Sequence, residues 1–180
     1  MTPLRGFGPV MPLAPLREVA RAAVGAALGL FLADLILWVL VGAGAPMMTQ
    51  TALIAPFGAS AFLIFAVPNS PLAQPWSAVV GNTVAALSAL LVLQIHMPMV
   101  PAISAAVLLA MVAMALARAT HPPGGAVAIA TVLLAKPDHL PGLSFALIPD
   151  FTGTLALVAL GLIWNRATGR AYPHLPALRP

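Results

Sequence analysis

The sequence contains no Asp, Glu, Lys or Arg from Leu35 to Ala117, and this gap restricts the possible fold more than any other feature. A water-soluble domain needs charged residues over its whole surface, and about 25% of its residues are charged. In this chain of 180 residues only 7% are charged and 61% are hydrophobic. The uncharged stretch is long enough for several helices of the roughly 20 residues that a bilayer requires. We therefore predict an integral membrane protein whose partner is the lipid bilayer.

The charge balance and the residue types exclude several classes of function. Eight Lys and Arg against four Asp and Glu give a net charge of +4, but most basic residues stand at the ends of apolar segments, where they orient helices and meet anionic headgroups. No basic run is interleaved with aromatic residues, so no nucleic-acid partner is expected. The chain has no cysteine, and its histidines lack the spacing of metal ligands. We expect no metal, no cofactor and no enzymatic activity.

Six apolar segments follow one another along the chain, and the second and fifth are short and contain Pro and Gly. The fifth has about 14 helical residues, which cover about 21 Å of a hydrocarbon core that is roughly 30 Å thick. We predict an all-α transmembrane fold with four long membrane-spanning helices and two short Pro/Gly-broken helices, which are either spanning or re-entrant. The segments cover approximately residues 19–45, 50–67, 76–95, 99–118, 122–137 and 143–165.

A single transmembrane domain is predicted for residues 16–168, between a flexible tail of residues 1–15 and a second tail of residues 169–180. With six crossings, seven of the eight basic residues lie on the side of the two termini, and with two re-entrant segments six of them do. Both arrangements follow the positive-inside rule, so we expect cytoplasmic termini. The expected location is a bacterial inner (plasma) membrane.

The halves 19–95 and 99–165 share one plan: a long helix, a short segment with Pro and Gly, a loop with Pro, and a third helix. Three segments per half would invert the second half relative to the first, which gives a 3+3 inverted repeat. Transporters with this construction bind substrate where short, interrupted helices meet. Because Gly, Ala and Pro are abundant in this sequence, a chance likeness is the alternative.

The stretch THPPGGAVAI (120–129) is a polar, helix-breaking element in an apolar chain. Two prolines suit a helix start, and two glycines let a ligand approach the backbone. Amide groups at a helix N-terminus favour a small anion, and a histidine adds a donor or a proton. Candidate substrate-binding residues are His121, Gly124, Gly125 and Ala126. The alternative is structural, with the histidine bonded to a carbonyl and the glycines allowing close packing.

The stretch APFGAS (55–60) offers the same possibilities in the first half, so Gly58, Ala59 and Ser60 are further substrate-binding candidates. Their alternative role is close helix packing by small residues. The same alternative, or dimer formation, applies to the GxxxG pair Gly25 and Gly29.

Ionisable residues inside a membrane are costly and usually face the protein interior. Asp34 and Arg118 are therefore candidates for electrostatic tuning or proton coupling, and a structural ion pair between them is the alternative. Asn82 is a candidate for a polar pathway, or else for a hydrogen bond between helices. Asp150, which follows Pro149, is expected to end a loop and cap the sixth segment.

Two quoted motifs resemble the HPP family of integral membrane proteins: FGASAFLIFAVPNSPLAQPWSAVVGN (57–82) and THPPGGAVAI (120–129). The family is named for His-Pro-Pro, which stands here at 121–123, and NRATGRAYPH (165–174) is similar to the end of the family domain. The resemblance implies about four transmembrane helices, which fits six segments if the two short ones are re-entrant. Plant and cyanobacterial members are described as nitrite transporters. Some bacterial members carry CBS domains, which this sequence lacks, so regulation by adenine nucleotides is not expected.

These observations lead to two hypotheses. The first is a transporter or channel for a small monovalent inorganic anion, with nitrite suggested by the family resemblance and with a homo-oligomer as a possible assembly. The second is a membrane-anchored sensor or scaffold that works with a soluble partner.

Overall fold

The computed structural model describes residues 12–41, 47–136 and 140–174, without the side chains of residues 41 and 47–53. The described part of the chain forms six main helices and a short 3-10 turn, Pro71–Ala73. Four helices are long and apolar enough to cross a membrane, and two shorter ones are also apolar, which confirms the predicted all-α transmembrane fold. The helices are α1 (Leu16–Val41), α2 (Met47–Ala66), α3 (Pro75–Leu93), α4 (Met99–Leu116), α5 (Pro123–Leu133) and α6 (Leu143–Ala167).

Prolines mark the starts of α3 and α5. Pro75 and Pro123 stand in the first turns of these helices, where the missing amide hydrogen costs no intrahelical bond. The predicted interruption of the second segment at 55–60 is wrong, because α2 continues through Pro56. A proline removes one hydrogen bond from a helix, and in a membrane bundle the packing of neighbouring helices tolerates this loss.

Helix α6 contains a π-helical turn at Ala146–Phe151, around Pro149. In a π turn the hydrogen bonds join residues five apart instead of four. The carbonyl that would have faced the missing amide hydrogen of Pro149 can therefore accept from the residue after the proline. Asp150 therefore lies inside a membrane-spanning helix. The expectation that Asp150 ends a loop and caps the sixth segment is wrong.

The start of α1 and the ends of α2 and α6 meet at one end of the bundle, which we call the arginine end. Arg21 donates to the carbonyl of Phe65 at 2.9 Å and to Oδ1 of Asn165 at 3.0 Å. The indole of Trp76 donates to the carbonyl of Ala117 at 3.1 Å, so α3 also begins and α4 also ends there.

In the half of the bundle away from the arginine end, Leu37 of α1 packs with Phe57 of α2 and Phe145 of α6, and Leu134, which follows α5, packs against them. The six helices thus alternate in direction along the bundle. Helix α5, with 11 residues, covers about 16 Å of a hydrocarbon core that is roughly 30 Å thick, so the four long helices are the ones long enough to cross it alone. Lys136 lies in the same half as Leu134, whereas five described arginines lie at the arginine end: Arg17, Arg21, Arg118, Arg166 and Arg170.

The packing of the helices supports an inverted repeat. If α1 is exchanged with α4, α2 with α5 and α3 with α6, each pair of helices in substantial contact is replaced by another pair that is also in substantial contact. For example, α1 packs on α2 and α6, and α4 packs on α5 and α3. Because α1 and α4 run in opposite directions, the two halves are inverted relative to each other. The packing agrees with the predicted 3+3 plan.

Helices α1 and α4 form the outer sides of the bundle, and most of their large apolar side chains are exposed. In water such surfaces would associate, whereas in a bilayer they contact lipid tails. The GxxxG pair of α1 faces inward, since a Cβ on Gly25 would lie 2.3 Å from Trp164 and one on Gly29 would lie 2.5 Å from Phe65. These glycines therefore let α1 pack closely on α6 and α2.

The residues after α6 pack against the arginine end. Tyr172 is buried, and its hydroxyl donates to the carbonyl of Ala73 at 2.8 Å. Burial raises the pKa of the Tyr172 phenol, so the donor stays protonated. The amide of His174 donates to Oε1 of Gln74. The first part of the predicted tail 169–180 thus belongs to the folded unit.

Candidate functional site

Four polar side chains meet in the middle of the apolar bundle and form what we call the central polar cluster: Ser60, Asn82, His121 and Thr154. Each of them is 0% exposed. They come from α2, α3, the segment before α5, and α6, so the cluster joins four parts of the chain. Burying polar groups in a membrane protein costs free energy unless they form hydrogen bonds with one another, and such groups often have a functional role. The cluster is therefore the main candidate for a functional site.

The hydrogen bonds of the cluster have a definite order. Nδ1 of His121 lies 2.7 Å from the carbonyl oxygen of Leu72, which can only accept, so Nδ1 carries a hydrogen. Nε2 lies 2.9 Å from the Ser60 hydroxyl, which donates to it when the ring is neutral. The Asn82 amide donates to Thr154 Oγ1 at 3.1 Å and, more weakly, to Ser60 Oγ at 3.4 Å.

The end of α4 positions His121. Arg118 adopts a left-handed conformation, with φ of 54°, and the amide of Ala119 then bonds the carbonyl of Met114 at 2.8 Å. This is the Schellman pattern that ends many helices, here with arginine in place of the usual glycine. The chain turns inward so closely that a Cβ on Gly81 would lie 2.6 Å from the carbonyl oxygen of Ala119 and 2.7 Å from Cβ of His121. Only glycine fits at position 81.

The backbone amides predicted to hold an anion are not open. The amides of Gly124 and Gly125 bond the carbonyls of His121 and Pro122 at 2.9 and 3.0 Å. Gly58, Ala59 and Ser60 lie within α2 instead of at a helix start. The two motifs do meet, but the contact runs through the side chains of Ser60 and His121. Ala126 is half-buried within α5. A Cβ added at Gly58 or Gly125 would have none of the neighbouring atoms considered within 4 Å, so the space beside these two glycines is open.

The cluster lies where the two inverted halves meet. Gly81 and Asn82 in α3 are matched by Gly153 and Thr154 in α6. Gly81 presses on the segment before α5, and Gly153 presses on Phe57 of α2, where a Cβ would lie 2.6 Å away. The next residue in each half, Asn82 and Thr154, then bonds its counterpart. Substrate and coupling ions bind at this interface in transporters with inverted repeats.

Asp150 lies one turn before Thr154 and is also 0% exposed. Its two carboxylate oxygens, and Oδ1 of Asn82, have no hydrogen-bond partner among the described residues. Sequence reasoning assigned Asp150 to a loop because Pro149 precedes it. The available signal was the spacing of Asp150 and Thr154, which places two polar residues on the same face of an apolar helix.

Comparison with known proteins identifies the family. The profile of the family described as HPP, transmembrane region, matches residues 11–173. The chain belongs to the HPP family. Two transmembrane proteins of Dictyostelium discoideum are each 36% identical to it, over 126 and 129 residues, which is 67% of this chain in both cases. The alignments cover only 40% and 44% of those relatives, so this HPP chain spans less than half of their length. No solved structure matches.

Within this HPP bundle the candidates Asp34 and Arg118 lie far apart. Arg118 is exposed at the arginine end, whereas Asp34 is half-buried on the last third of α1, near the opposite end. The ion pair that the sequence allowed is therefore wrong, since the directions of α1 and α4 separate the two residues. Among the described residues, ion pairs form at the arginine end, where Glu18 pairs with Arg21 and Arg170.

Two other features of the described residues bear on ligand binding. In the described ranges, no group of three or more His, Asp or Glu side chains is arranged to hold a metal ion. A groove at the arginine end is lined mainly by apolar residues of α1 and of the loop after α2, and no residue of the central polar cluster lines it. The central polar cluster is thus the candidate site of this HPP protein.

Proposed function

We propose that this HPP protein transports a small monovalent anion across the membrane, with nitrite as the substrate suggested by the family resemblance. The observation that carries the proposal is the position of the central polar cluster at the interface of two inverted halves. A bundle with a purely structural role gains little from four buried polar side chains there, because each costs free energy to remove from water.

The donors for an anion would come from Ser60, Asn82 and His121. The Ser60 hydroxyl and the Asn82 amide already point into the cluster, and their present bonds are to neutral acceptors. Hydrogen bonds to a charged acceptor are about twice as strong as those between neutral groups, so an anion can compete for both donors. A proton on Nε2 of His121 would add a third donor and a compensating charge.

Nitrite uptake into proteoliposomes tests the proposal. Purified protein is reconstituted, an inward nitrite gradient is applied, and internal nitrite is measured over time against protein-free vesicles, because nitrous acid crosses lipid unaided. We expect faster uptake with the wild-type protein and a loss of the excess uptake in Ser60→Ala and His121→Ala. Uptake equal to that of protein-free vesicles refutes nitrite transport, and chloride and nitrate in the same assay test the anion class.

The second candidate function is a membrane-anchored sensor or scaffold with a soluble partner. It is favoured by the closed state of the cluster, in which the buried side-chain nitrogen and hydroxyl atoms of the described residues all have partners. A scaffold needs no opening there. It predicts no anion flux, together with a soluble protein that co-purifies from the native host. Native mass measurement of the same preparation tests the predicted homo-oligomer.

A further inference from the structure

The unpartnered atoms near the cluster are all hydrogen-bond acceptors. Both carboxylate oxygens of Asp150 and Oδ1 of Asn82 are buried without a donor from the described residues. An ionised carboxylate in such a place is strongly disfavoured, because no donor or cation among the described residues compensates its charge. One added proton turns a carboxylate oxygen into a donor and removes the charge.

Among the described residues, the elements packed around Asp150 offer it no basic partner. The π turn that holds it packs on α1, α2 and α3. Neither α2 nor α3 contains any Asp, Glu, His, Lys, Arg or Tyr, and Asp34 of α1 is the acid nearest along the bundle. On α6 itself Arg166 lies at the far end, and Lys136, after α5, is exposed. His121 is connected to Thr154 only through Ser60 and Asn82.

We propose that Asp150 is the proton-binding residue of this protein, and that an anion enters the central polar cluster only when the Asp150 carboxyl is protonated. The coupling rests on the proposed anion transport, whereas the proton binding does not. The proton comes from the aqueous side that the cluster faces, moves with the anion, and is released on the other side. Transport is then a symport of one proton with one anion, which carries no net charge.

The coupling follows from the repulsion of like charges. Asp150 and Thr154 are four residues apart on α6, so their backbone positions are separated by about 6 Å along the helix. At that separation and an effective dielectric constant of about 20, ionising Asp150 would weaken anion binding roughly a hundredfold. The protonated carboxyl removes this repulsion.

Infrared difference spectroscopy tests the proton binding without any substrate. The full chain in lipid is titrated with acid and base, and the carbonyl stretch of a protonated carboxyl group is recorded. Near neutral pH, where solvent-exposed carboxyls are ionised, we expect a band that is present in the wild type and in Glu18→Gln, a control carboxyl at the arginine end, and absent in Asp150→Asn. A wild type without the band, or an Asp150→Asn variant that keeps it in full, overturns the proposal.

Transport in proteoliposomes with an internal pH dye tests the coupling. Inward nitrite movement is expected to acidify the lumen beyond protein-free vesicles, and an inward proton gradient is expected to accelerate uptake. In Asp150→Asn the ratio of uptake with and without the pH gradient falls to that of protein-free vesicles, and Asp150→Glu restores part of it. A ratio unchanged in Asp150→Asn overturns the coupling, as does acceleration by an inward sodium gradient in place of the proton gradient.

The two proposals fail in distinguishable ways. If the wild type moves no anion, the proposed function is refuted while the infrared band still decides proton binding. If the wild type moves nitrite but neither acidifies the lumen nor responds to the proton gradient, anion transport stands and the coupling is refuted. Both wild-type readings hold even if Asp150→Asn does not fold.

Discussion

Replacing Gly81 by alanine is expected to disturb both the fold and the site. The added Cβ would lie 2.6 Å from the carbonyl oxygen of Ala119 and 2.7 Å from Cβ of His121, whereas ordinary contacts of a Cβ are 3.4 Å or longer. Both opposing atoms belong to the backbone or are fixed to it, so no side-chain rotation relieves the overlap. To restore a contact of 3.4 Å from 2.6 Å, the chain before α5 must move by about 0.8 Å. This movement disturbs the hydrogen bonds of that segment. Overpacking of this kind costs about 3 kcal/mol.

That cost corresponds to a fall of roughly 6–12 °C in the unfolding temperature of a protein of this size. The measurement is thermal unfolding of purified protein in detergent, followed by circular dichroism. Gly125→Ala is the matched control: it lies in helix α5, where no atom is within 4 Å of the new Cβ, and alanine should stabilise the helix by up to about 1 kcal/mol. The reasoning is refuted if Gly81→Ala unfolds within 2 °C of the wild type (roughly 1 kcal/mol), or if Gly125→Ala loses as much as Gly81→Ala.

Three further substitutions test separate parts of the site by the same unfolding measurement. His121→Ala leaves two buried partners unbonded and should cost about 2–4 kcal/mol, whereas His121→Asn, whose amide reaches the position of Nδ1, should recover part of the loss; equal losses would contradict the bond to Leu72. Thr154→Val should cost about 1–3 kcal/mol because it leaves the Asn82 amide without its acceptor, and Thr131→Val, which removes only a bond within α5, should cost less; the reverse order would count against the cluster. Arg118→Gly should stabilise by about 1 kcal/mol, because glycine adopts a left-handed conformation freely; Arg118→Ala keeps the strain, and a similar gain from it would argue against this cause.

The sequence predicts the helices and their order well, because a bilayer requires long apolar segments and marks their ends with charges and prolines. It also predicts that the motifs at 58–60 and 120–126 belong to one site. The structure brings Ser60 and His121 within 2.9 Å. The sequence alone could not predict which atoms of the two motifs are in contact. A proline ends some helices and leaves others intact, so Pro56 and Pro149 read as breaks although both lie within helices.

The position of Asp150 depends on packing that no local pattern records. Its burial follows from the π turn and from the contact of α6 with α3, whose residues lie 57 to 75 positions before Asp150 in the chain. Similarly, the amides of Gly124 and Gly125 looked available because two prolines precede them, but the chain folds back tightly enough for the carbonyls of His121 and Pro122 to accept from them. Local composition indicates where the backbone turns, and only tertiary structure decides which groups stay free.

The hydrogen bond from Arg21 to Asn165 joins residues separated by 144 positions. During synthesis α1 is made first and α6 last. Four other helices are therefore made between Arg21 and its partner Asn165. The other two side-chain bonds of Arg21, to Glu18 and to the carbonyl of Phe65 at the end of α2, do not depend on α6. Assembly in the membrane is thus completed by the last helix, and a chain that ends before residue 165 lacks this hydrogen bond between the first helix and the last.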